Sequence, residues 1–440
     1  MQLESDQQRE WKEKTLAYAK AVNDYIAKGI KDGWENAGDE PASEGREHLV
    51  PDVLVALREA NRSGQTSLFR EYWPPAHEPF IFMLDENGQS IPMLCLLPDD
   101  SILARIGAPY EKGRVVRINK TAIEDVPGVE FFGYCPNKRY FAAANEKGIT
   151  VTDGWQGESV LFCPWPTGTE DIPEGFSVEP LKSRPDPTRL MPFPDGKRVL
   201  LVSEDGIFVL TPDGARRLQP TQEELKEYFT WSQQQYPEEE LSVNVSMAHG
   251  TISADGQTIA VGAQDGKHHI FDADLQLIAQ IGPHNEYPHY ALFSADGEIL
   301  ALNACHFYHG ATIGVPTAML KGLNTDYYEE KEGIFLLQDG ARVYAGVSRR
   351  DEFLIGDAYG YVKAFSKTGQ SCWRHFIGST IDAIDISPDG KKLVVSTHAG
   401  FISLIELDAG RQQPYQIGNG NHNEKCRWIF WKNEPAPLIW

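Results

Sequence analysis

Cysteine is scarce in this 440-residue chain, which contains six cysteines and no C-x-x-C pair. A disulfide framework or a paired-cysteine metal motif would need cysteines that lie closer together in the sequence. We therefore interpret all six as small interior residues of a protein in a reducing compartment. They are Cys95, Cys135, Cys163, Cys305, Cys372 and Cys426.

Long apolar runs are also missing. A transmembrane helix needs roughly 20 consecutive apolar residues, and no segment of this chain approaches that length. The N-terminus is polar and charged where a signal peptide would have an apolar core. These absences predict a cytoplasmic protein that has no membrane partner.

Basic residues are few relative to acidic ones. The chain contains 41 Lys and Arg residues against 63 Asp and Glu residues, which gives a formal net charge of −22. Nucleic acids and anionic membranes bind cationic protein surfaces, so we expect neither to be a partner. A basic protein is the partner that this charge favours, although acidity can also serve solubility alone.

The chain does contain a repeated hairpin pattern. Residues 384–407 comprise three β-branched runs separated by two turns, Ser387–Gly390 and Thr397–Gly400. The same order of run, tight turn, run, glycine turn and run recurs from about residue 78 onward. The seven first turns lie near residues 99, 137, 195, 255, 296, 351 and 389.

Seven such units predict a fold. Each unit is a small sheet with two apolar faces, which only neighbouring sheets can cover. We therefore predict an all-β domain over residues 75–440, a seven-bladed β-propeller of four-stranded antiparallel sheets. We expect the run at Cys426–Trp431 or the run at Phe80–Leu84 to supply the strand that closes the ring.

A family resemblance supports this fold. Residues 253–272 resemble one WD-repeat through three successive segments, Ser253–Gly256, Ala263–Gly266 and Ile270–Asp272. In the third, Phe271-Asp272 stands where the Trp-Asp pair of such a repeat would lie. Residues 356–373 are similar instead to a repeat of quinoprotein-type propellers. The resemblance implies a propeller, and a propeller implies a partner-binding surface more often than an enzyme.

Residues 1–74 differ from the repeats and predict an α-helical N-terminal extension. Ser5 and Gln8 form a capping-box pattern ahead of apolar residues at helical spacing, so we expect a helix over about 6–30. A second helix is predicted over residues 51–61, with Pro51 in its first turn. The extension is expected to pack on the propeller or to reach a partner, and self-association is a further alternative.

Three long insertions interrupt the repeats, at about residues 154–190, 212–248 and 315–335. All three are acidic, and the last two interleave acidic and aromatic residues. Aromatic side chains give large contact areas and carboxylates pair with Lys or Arg, so we predict that the insertions bind a protein partner. The candidate residues are Tyr228, Trp231, Tyr236, Glu238, Glu239, Glu240, Tyr327, Tyr328, Glu329 and Glu330.

The same aromatic residues have a second interpretation. Thr221 and Glu224 form another capping-box pattern, which predicts a helix in the second insertion. Phe229 and Trp231 could then serve only to dock this helix on its own blade.

Histidines are concentrated between residues 249 and 309. Cys305, His306 and His309 could form a zinc site with His284 or His289, because imidazole and thiolate suit that ion. Their spacing matches no standard metal motif, so we favour hydrogen bonding within the blade turns and predict no metal ligand.

The functional prediction is a non-catalytic interaction propeller, which acts as an acidic scaffold or as an inhibitor of immunity type for a basic protein. The sequence has no G-x-S-x-G, H-E-x-x-H or G-x-x-x-x-G-K-[ST] motif, so we predict no catalytic residue and no cofactor. The alternative is an enzyme centred on the propeller channel, either a metal-dependent hydrolase or a quinone-dependent oxidoreductase. The Ser-Pro-Asp-Gly turns suggest a bacterial source.

Overall fold

The computed structural model describes residues 5–42, 45–120, 122–411 and 413–440, in which the strands form seven antiparallel sheets. Blade 1 contains β1 (Met93–Leu96), β2 (Ile102–Ile106), β3 (Arg114–Asn119) and β4 (Ala122–Asp125). Blade 2 contains β5 (Phe131–Tyr134), β6 (Tyr140–Asn145), β7 (Gly148–Asp153) and β8 (Glu158–Cys163). Blade 3 contains β9 (Arg189–Pro192), β10 (Val199–Ser203), β11 (Gly206–Thr211) and β12 (Gly214–Gln219).

The remaining four sheets follow in chain order. Blade 4 contains β13 (His249–Ile252), β14 (Thr258–Gly262), β15 (His268–Asp272) and β16 (Leu277–Ile281). Blade 5 contains β17 (Tyr287–Phe293), β18 (Ile299–His306), β19 (His309–Pro316) and β20 (Phe335–Asp339). Blade 6 contains β21 (Val343–Arg349), β22 (Glu352–Asp357), β23 (Tyr361–Ser366) and β24 (Ser371–Phe376). Blade 7 contains β25 (Ile381–Ile386), β26 (Lys392–Thr397), β27 (Phe401–Glu406), β28 (Asn423–Ile429) and β29 (Leu438–Ile439).

These sheets form the predicted seven-bladed β-propeller. First strands of neighbouring blades pack side by side from blade 2 to blade 7, and β1 of blade 1 packs against β25 of blade 7. At the junction of blades 1 and 2, β5 contacts β3. The core lies between blades: Ile270 and Ile281 of blade 4 are buried with Leu302 and Ile313 of blade 5. The sheets therefore cover one another, as the apolar repeat pattern predicts.

All seven predicted first turns join the first and second strands of a blade. At Ser253–Gly256 the Asp255 carboxylate accepts hydrogen bonds from Ser253 Oγ (2.6 Å) and from the Gln257 backbone nitrogen (3.0 Å). Gly256 has φ +73°, a conformation that glycine adopts at little cost. The Ser-x-Asp-Gly sequence thus closes a hairpin by purely local bonds, which explains why this pattern could be found in the sequence.

The ring has two faces that differ in their connections. Because the strands of a blade are antiparallel, first and third turns lie on one face, which we call the first-turn face. Second turns and the connections between blades lie on the other face. We call it the insertion face, because the connections after β8 and β12 are the two longest between blades.

The helices are α1 (Asp6–Asp32), α2 (Val50–Ser63), α3 (Thr66–Tyr72), α4 (Ile81–Asn87) and α5 (Gln222–Gln235). The predicted helices over 6–30 and 51–61 correspond to α1 and α2, and the Ser5 and Gln8 capping box is present. Trp11 of α1 is buried among Phe80 and the C-terminal Trp440. The apolar side of the extension is therefore part of the core. Residues 1–4 and 43–44 of the predicted extension lie outside the described residues, and no helix among the described ones is both long and apolar enough to span a bilayer.

The prediction for ring closure was wrong. Phe80–Leu84 lies in a 3-10 turn and in α4, and Cys426 and Trp428 lie in β28, the consecutive fourth strand of blade 7. The junction with blade 1 is made instead by side chains of β25. Asp385 accepts a hydrogen bond from the Leu96 backbone nitrogen (2.6 Å), and Asp382 accepts from the Ile91 nitrogen (2.5 Å). Carboxylates thus satisfy backbone donors that a shared strand would otherwise pair.

The predicted insertions were also too long. The range 154–190 includes β8 and the start of β9, so its irregular part is residues 164–188. The range 212–248 includes β12, and 315–335 includes the end of β19 and the start of β20. Strand β12 was missed because it has no apolar run, since it reads Gly-Ala-Arg-Arg-Leu-Gln. Strand β8 was missed because it was assigned to the same insertion as the proline-containing segment that follows it.

Candidate functional site

All three insertions reach the insertion face. The first and second follow β8 and β12, the outermost strands of blades 2 and 3. The third leaves β19 on the opposite face and then runs along the outer edge of blade 4. Its backbone pairs with Gln280 of β16 through Leu323 O (2.9 Å) and the Thr325 nitrogen (3.0 Å). This segment therefore covers a free strand edge before it reaches the insertion face.

Helix α5 is docked through one side only. The capping box of Thr221 and Glu224 starts the helix, as predicted. Phe229 is fully buried and its ring lies 5.5 Å from the ring of Phe176 in the first insertion. Trp231, two residues later, is 50 % exposed. Burial of Phe229 thus agrees with a role in docking the helix, whereas the exposure of Trp231 does not agree with a role in docking alone.

The exposed side of α5 carries an aromatic stack. Tyr228 and Trp231 lie 6.2 Å apart with nearly parallel rings, and Tyr236 meets Trp231 edge to face at 5.8 Å. All three side chains are about half exposed. Glu238, Glu239 and Glu240 follow in an exposed loop and form no ion pair with any described residue. We call these six predicted residues the α5 ridge: Tyr228, Trp231, Tyr236, Glu238, Glu239 and Glu240.

The other four candidates form a second patch, which we call the blade-4 loop: Tyr327, Tyr328, Glu329 and Glu330. Tyr327 donates a hydrogen bond to Gly266 O in the second turn of blade 4 (2.9 Å). Partial burial and the carboxylates of Asp265 and Glu224 raise the pKa of Tyr327. Glu329 accepts a hydrogen bond from the Asp326 nitrogen and so has a local structural role, whereas Tyr328 and Glu330 are exposed.

The two patches approach one another at the second turn of blade 4. Glu224, in the first turn of α5, lies 3.5 Å from His269 beside this turn, and Tyr327 binds the turn itself. Trp231 lies seven residues further along α5, about 10 Å along the helix axis. The ten predicted residues therefore form two neighbouring patches on one face rather than one continuous patch.

Other exposed aromatic residues of this face were missed from the sequence. Phe307 and Tyr308 form the second turn of blade 5, and Tyr359 lies in that of blade 6. Tyr110, in the second turn of blade 1, is 80 % exposed. Aromatic residues at hairpin tips, where polar residues are usual, were the available signal.

The histidine region does not gather into a metal site. Among the described residues, no three side chains of His, Cys, Asp or Glu are arranged to hold a metal ion. His306 pairs with Glu286, His289 donates from Nδ1 to Val343 O (2.6 Å), and His284 lies 3.0 Å from Glu329 O. Cys305 is buried within β18. These contacts join residues 20 to 54 positions apart, so they are not the hydrogen bonds within the blade turns that were favoured from the sequence.

The centre of the insertion face is a funnel of about 490 Å³ that leads into the channel. Its wall includes His249, His289 and His398. Burial lowers the pKa of His249 to about 3, and burial together with Arg342 does the same for His289. Burial opposes protonation of His398 as well, but the Asp382 carboxylate outweighs it and raises the pKa.

Comparisons with known proteins find only distant structural likenesses. The chain is similar to the computationally designed protein Ika8, with 14 % identity over 73 % of this chain and 97 % of that chain and a TM-score of 0.43. It is also similar to the β-propeller domain of Myceliophteria thermophila Cps50 (Swd1), with 11 % identity over 70 % and 93 % of the two chains and a TM-score of 0.45. No family model and no curated protein matches the sequence. At these similarities, nothing about function transfers to this chain.

Proposed function

We propose that this chain is a non-catalytic interaction propeller that binds a basic protein through its insertion face. The observation that supports this most is the α5 ridge. There, half-exposed aromatic rings stack on one another beside three glutamates that have no ion-pair partner among the described residues. A scaffold with rigid strands and long loops on one face is a common arrangement for binding surfaces.

The aromatic stack suits protein recognition on energetic grounds. The rings of Tyr228, Trp231 and Tyr236 already contact each other, so a partner would immobilise little additional rotamer freedom. Burying a large aromatic side chain at the centre of an interface is commonly worth about 2 kcal/mol or more in alanine substitutions. Trp231 is the residue that we expect to contribute most.

The charge of the ridge favours a basic partner. Exposed carboxylates without internal partners attract Lys and Arg side chains over several ångströms and raise the association rate. The effect is screened by salt, because the Debye length is only about 8 Å at physiological ionic strength. A basic protein should therefore associate more slowly with this chain at high salt.

Capture of the partner tests this function. The wild-type chain, Trp231→Ala and Leu277→Ala would be immobilised and exposed to a lysate of the source cell. Leu277 is a matched control, since it is a partly exposed apolar residue at the opposite end of blade 4. We expect a basic protein that the wild type and Leu277→Ala retain and that Trp231→Ala loses. The proposal is contradicted if the wild type retains no protein, or if Trp231→Ala retains the basic protein as well as the wild type does.

The captured complex would also separate a scaffold from an inhibitor. An inhibitor of immunity type forms a stoichiometric complex in which the activity of the partner is lost. A scaffold leaves that activity intact and binds at least one further chain. Light scattering of the purified complex, together with an activity assay of the partner, distinguishes these outcomes.

A further inference from the structure

The central channel has a constriction between two cavities. The funnel on the insertion face has a volume of about 490 Å³, and the cavity on the first-turn face about 290 Å³. Four residues line both cavities: Tyr134, Arg189, Tyr290 and Ile384. Arg189 is the only charged residue among them, and it stands at the first position of β9, where the inner strand of blade 3 begins.

The charge of Arg189 is not neutralised within the described part of the chain. Its guanidinium lies over the ring of Tyr290 at 5.8 Å and forms no ion pair with a described carboxylate. The two aspartates that line the channel already have other partners. Asp382 binds Ser90 and the Ile91 nitrogen, and Asp385 binds Lys138 (2.6 Å) and the Leu96 nitrogen. An unpaired guanidinium in the channel is unusual in a protein with a net charge of −22.

The other charged side chains of the funnel wall pair with one another: Asp382 lies 3.2 Å from His398, and Glu111 lies 4.0 Å from Lys432. His249 contacts His268 through their ring nitrogens (3.2 Å), and both remain neutral because burial lowers their pKa values. Apolar side chains line much of the remaining surface, among them Met93, Leu94 and Ala248. A cavity of several hundred Å³ with a partly apolar wall and a charged group left for the ligand is typical of small-molecule sites.

We propose that the funnel binds a small organic anion whose carboxylate or phosphate group contacts Arg189. The planar guanidinium can donate two parallel hydrogen bonds to either group, which gives both strength and orientation. The apolar and aromatic wall suits a ligand that has an apolar or aromatic body behind its charged group. This site is central and takes an anion, whereas the α5 ridge takes cationic side chains. Either proposal can fail without the other.

Calorimetry with defined probes tests the site. Phenyl phosphate and benzoate are the two anionic probes, and benzyl alcohol is the neutral control. We expect the wild type to bind at least one anion and not the alcohol, and Arg189→Gln to bind at least about tenfold more weakly. Arg62→Gln on α2 removes the same charge from an exposed site and should bind like the wild type. The stronger of the two anions identifies a phosphate or a carboxylate ligand.

Two calorimetric results overturn the proposal: no binding of either anion at about 10 mM, or equal binding by Arg189→Gln and the wild type. Because Arg189→Gln could fail to fold, wild-type crystals soaked in the better probe give a second measurement. Density for the anion against the Arg189 guanidinium supports the site, and an empty funnel overturns it.

Discussion

Some charged residues of the two faces of the ring are used in different ways. On the first-turn face, cations of one blade pair with carboxylates of a neighbouring blade: Lys367 binds Asp296 and Glu298, and Lys392 binds Asp100 (2.6 Å). On the insertion face, Glu238 to Glu240 have no such partner among the described residues. These turn charges thus link blades, whereas the three glutamates of the α5 ridge remain available to another molecule.

The pKa of Asp296 agrees with the structural role of the first-turn face. Hydrogen bonds from Lys367 and Ser294 hold the pKa of Asp296 well below its usual value, as expected of a carboxylate that stabilises the fold. The carboxylates behind the net charge of −22 therefore have two uses. Some form ion pairs between blades, and others remain at the surface without an ion pair among the described residues.

The largest effect should come from Asp385. This buried carboxylate binds Lys138 and the Leu96 nitrogen. Asp385→Ala therefore leaves a largely buried cation without its carboxylate and a backbone donor without its acceptor at the ring junction. We expect the free energy of unfolding to fall by about 3–5 kcal/mol in denaturant titrations. Asp351→Ala, at a well-exposed carboxylate of the same face, is the control and should have little effect. Equal stability of both variants would remove the structural role assigned to this face.

The next comparison lies within α5. Phe229→Ala removes the ring that docks the helix against Phe176, so hydrogen-exchange protection of residues 222–235 should fall by about 3 kcal/mol. Trp231→Ala should leave that protection within about 0.5 kcal/mol, because its ring is half exposed. If both substitutions destabilise α5 equally, the aromatic stack serves docking and not recognition.

The stability of the folded chain should depend on pH through His249, at the centre of the insertion face. His249 is neutral in the folded state because burial lowers its pKa to about 3, whereas the unfolded chain protonates it below about pH 6.5. The contribution of neutral His249 to the free energy of unfolding is therefore fully present above pH 6.5. It is lost as the pH falls, and the loss at pH 5 is about 2 kcal/mol. His249→Gln should show a correspondingly smaller loss of stability between pH 8 and pH 5. The exposed His48→Gln is the control, and identical pH profiles for all three chains would contradict the assignment.

The smallest effect should come from an exposed pair between blades. Lys392 and Asp100 pair at the blade 7 to blade 1 junction, but both side chains are partly exposed to solvent. We expect Lys392→Gln to cost less than about 1 kcal/mol and to cost least at high salt. A loss as large as that of Asp385→Ala would show that the rim, rather than the buried carboxylates, holds the ring closed.

Local features of the fold could be predicted from the sequence, and distant pairings could not. The Ser-x-Asp-Gly turns and the two capping boxes form bonds within about five residues, so their residue types alone identify them. Phe80–Leu84 was taken for a strand because a short apolar run fits either a strand or a helix, and burial of Phe80 beside Trp11 and Trp440 decides the outcome.

The candidate site shows the same limit. The exposed aromatic and acidic residues were visible in the sequence as a compositional excess within two insertions. Which aromatic residue docks α5 depends on Phe176 from another insertion, so Phe229 and Trp231 could not be told apart. Arg189 could not be found either, because its lack of a carboxylate partner depends on how seven separate strands converge on the axis.

The central claim is that carboxylates of the insertion face, and not those of the first-turn face, recruit a basic partner. Two triple variants with the same change in charge test this claim. The first replaces Glu238, Glu239 and Glu240 of the insertion face by Lys, and the second replaces the exposed Asp213, Asp274 and Asp351 of the first-turn face by Lys. The measurement is the association rate of the captured partner at low salt. The account predicts at least about a tenfold slower association for the first variant and a nearly unchanged rate for the second. Equal rates for the two variants would contradict it.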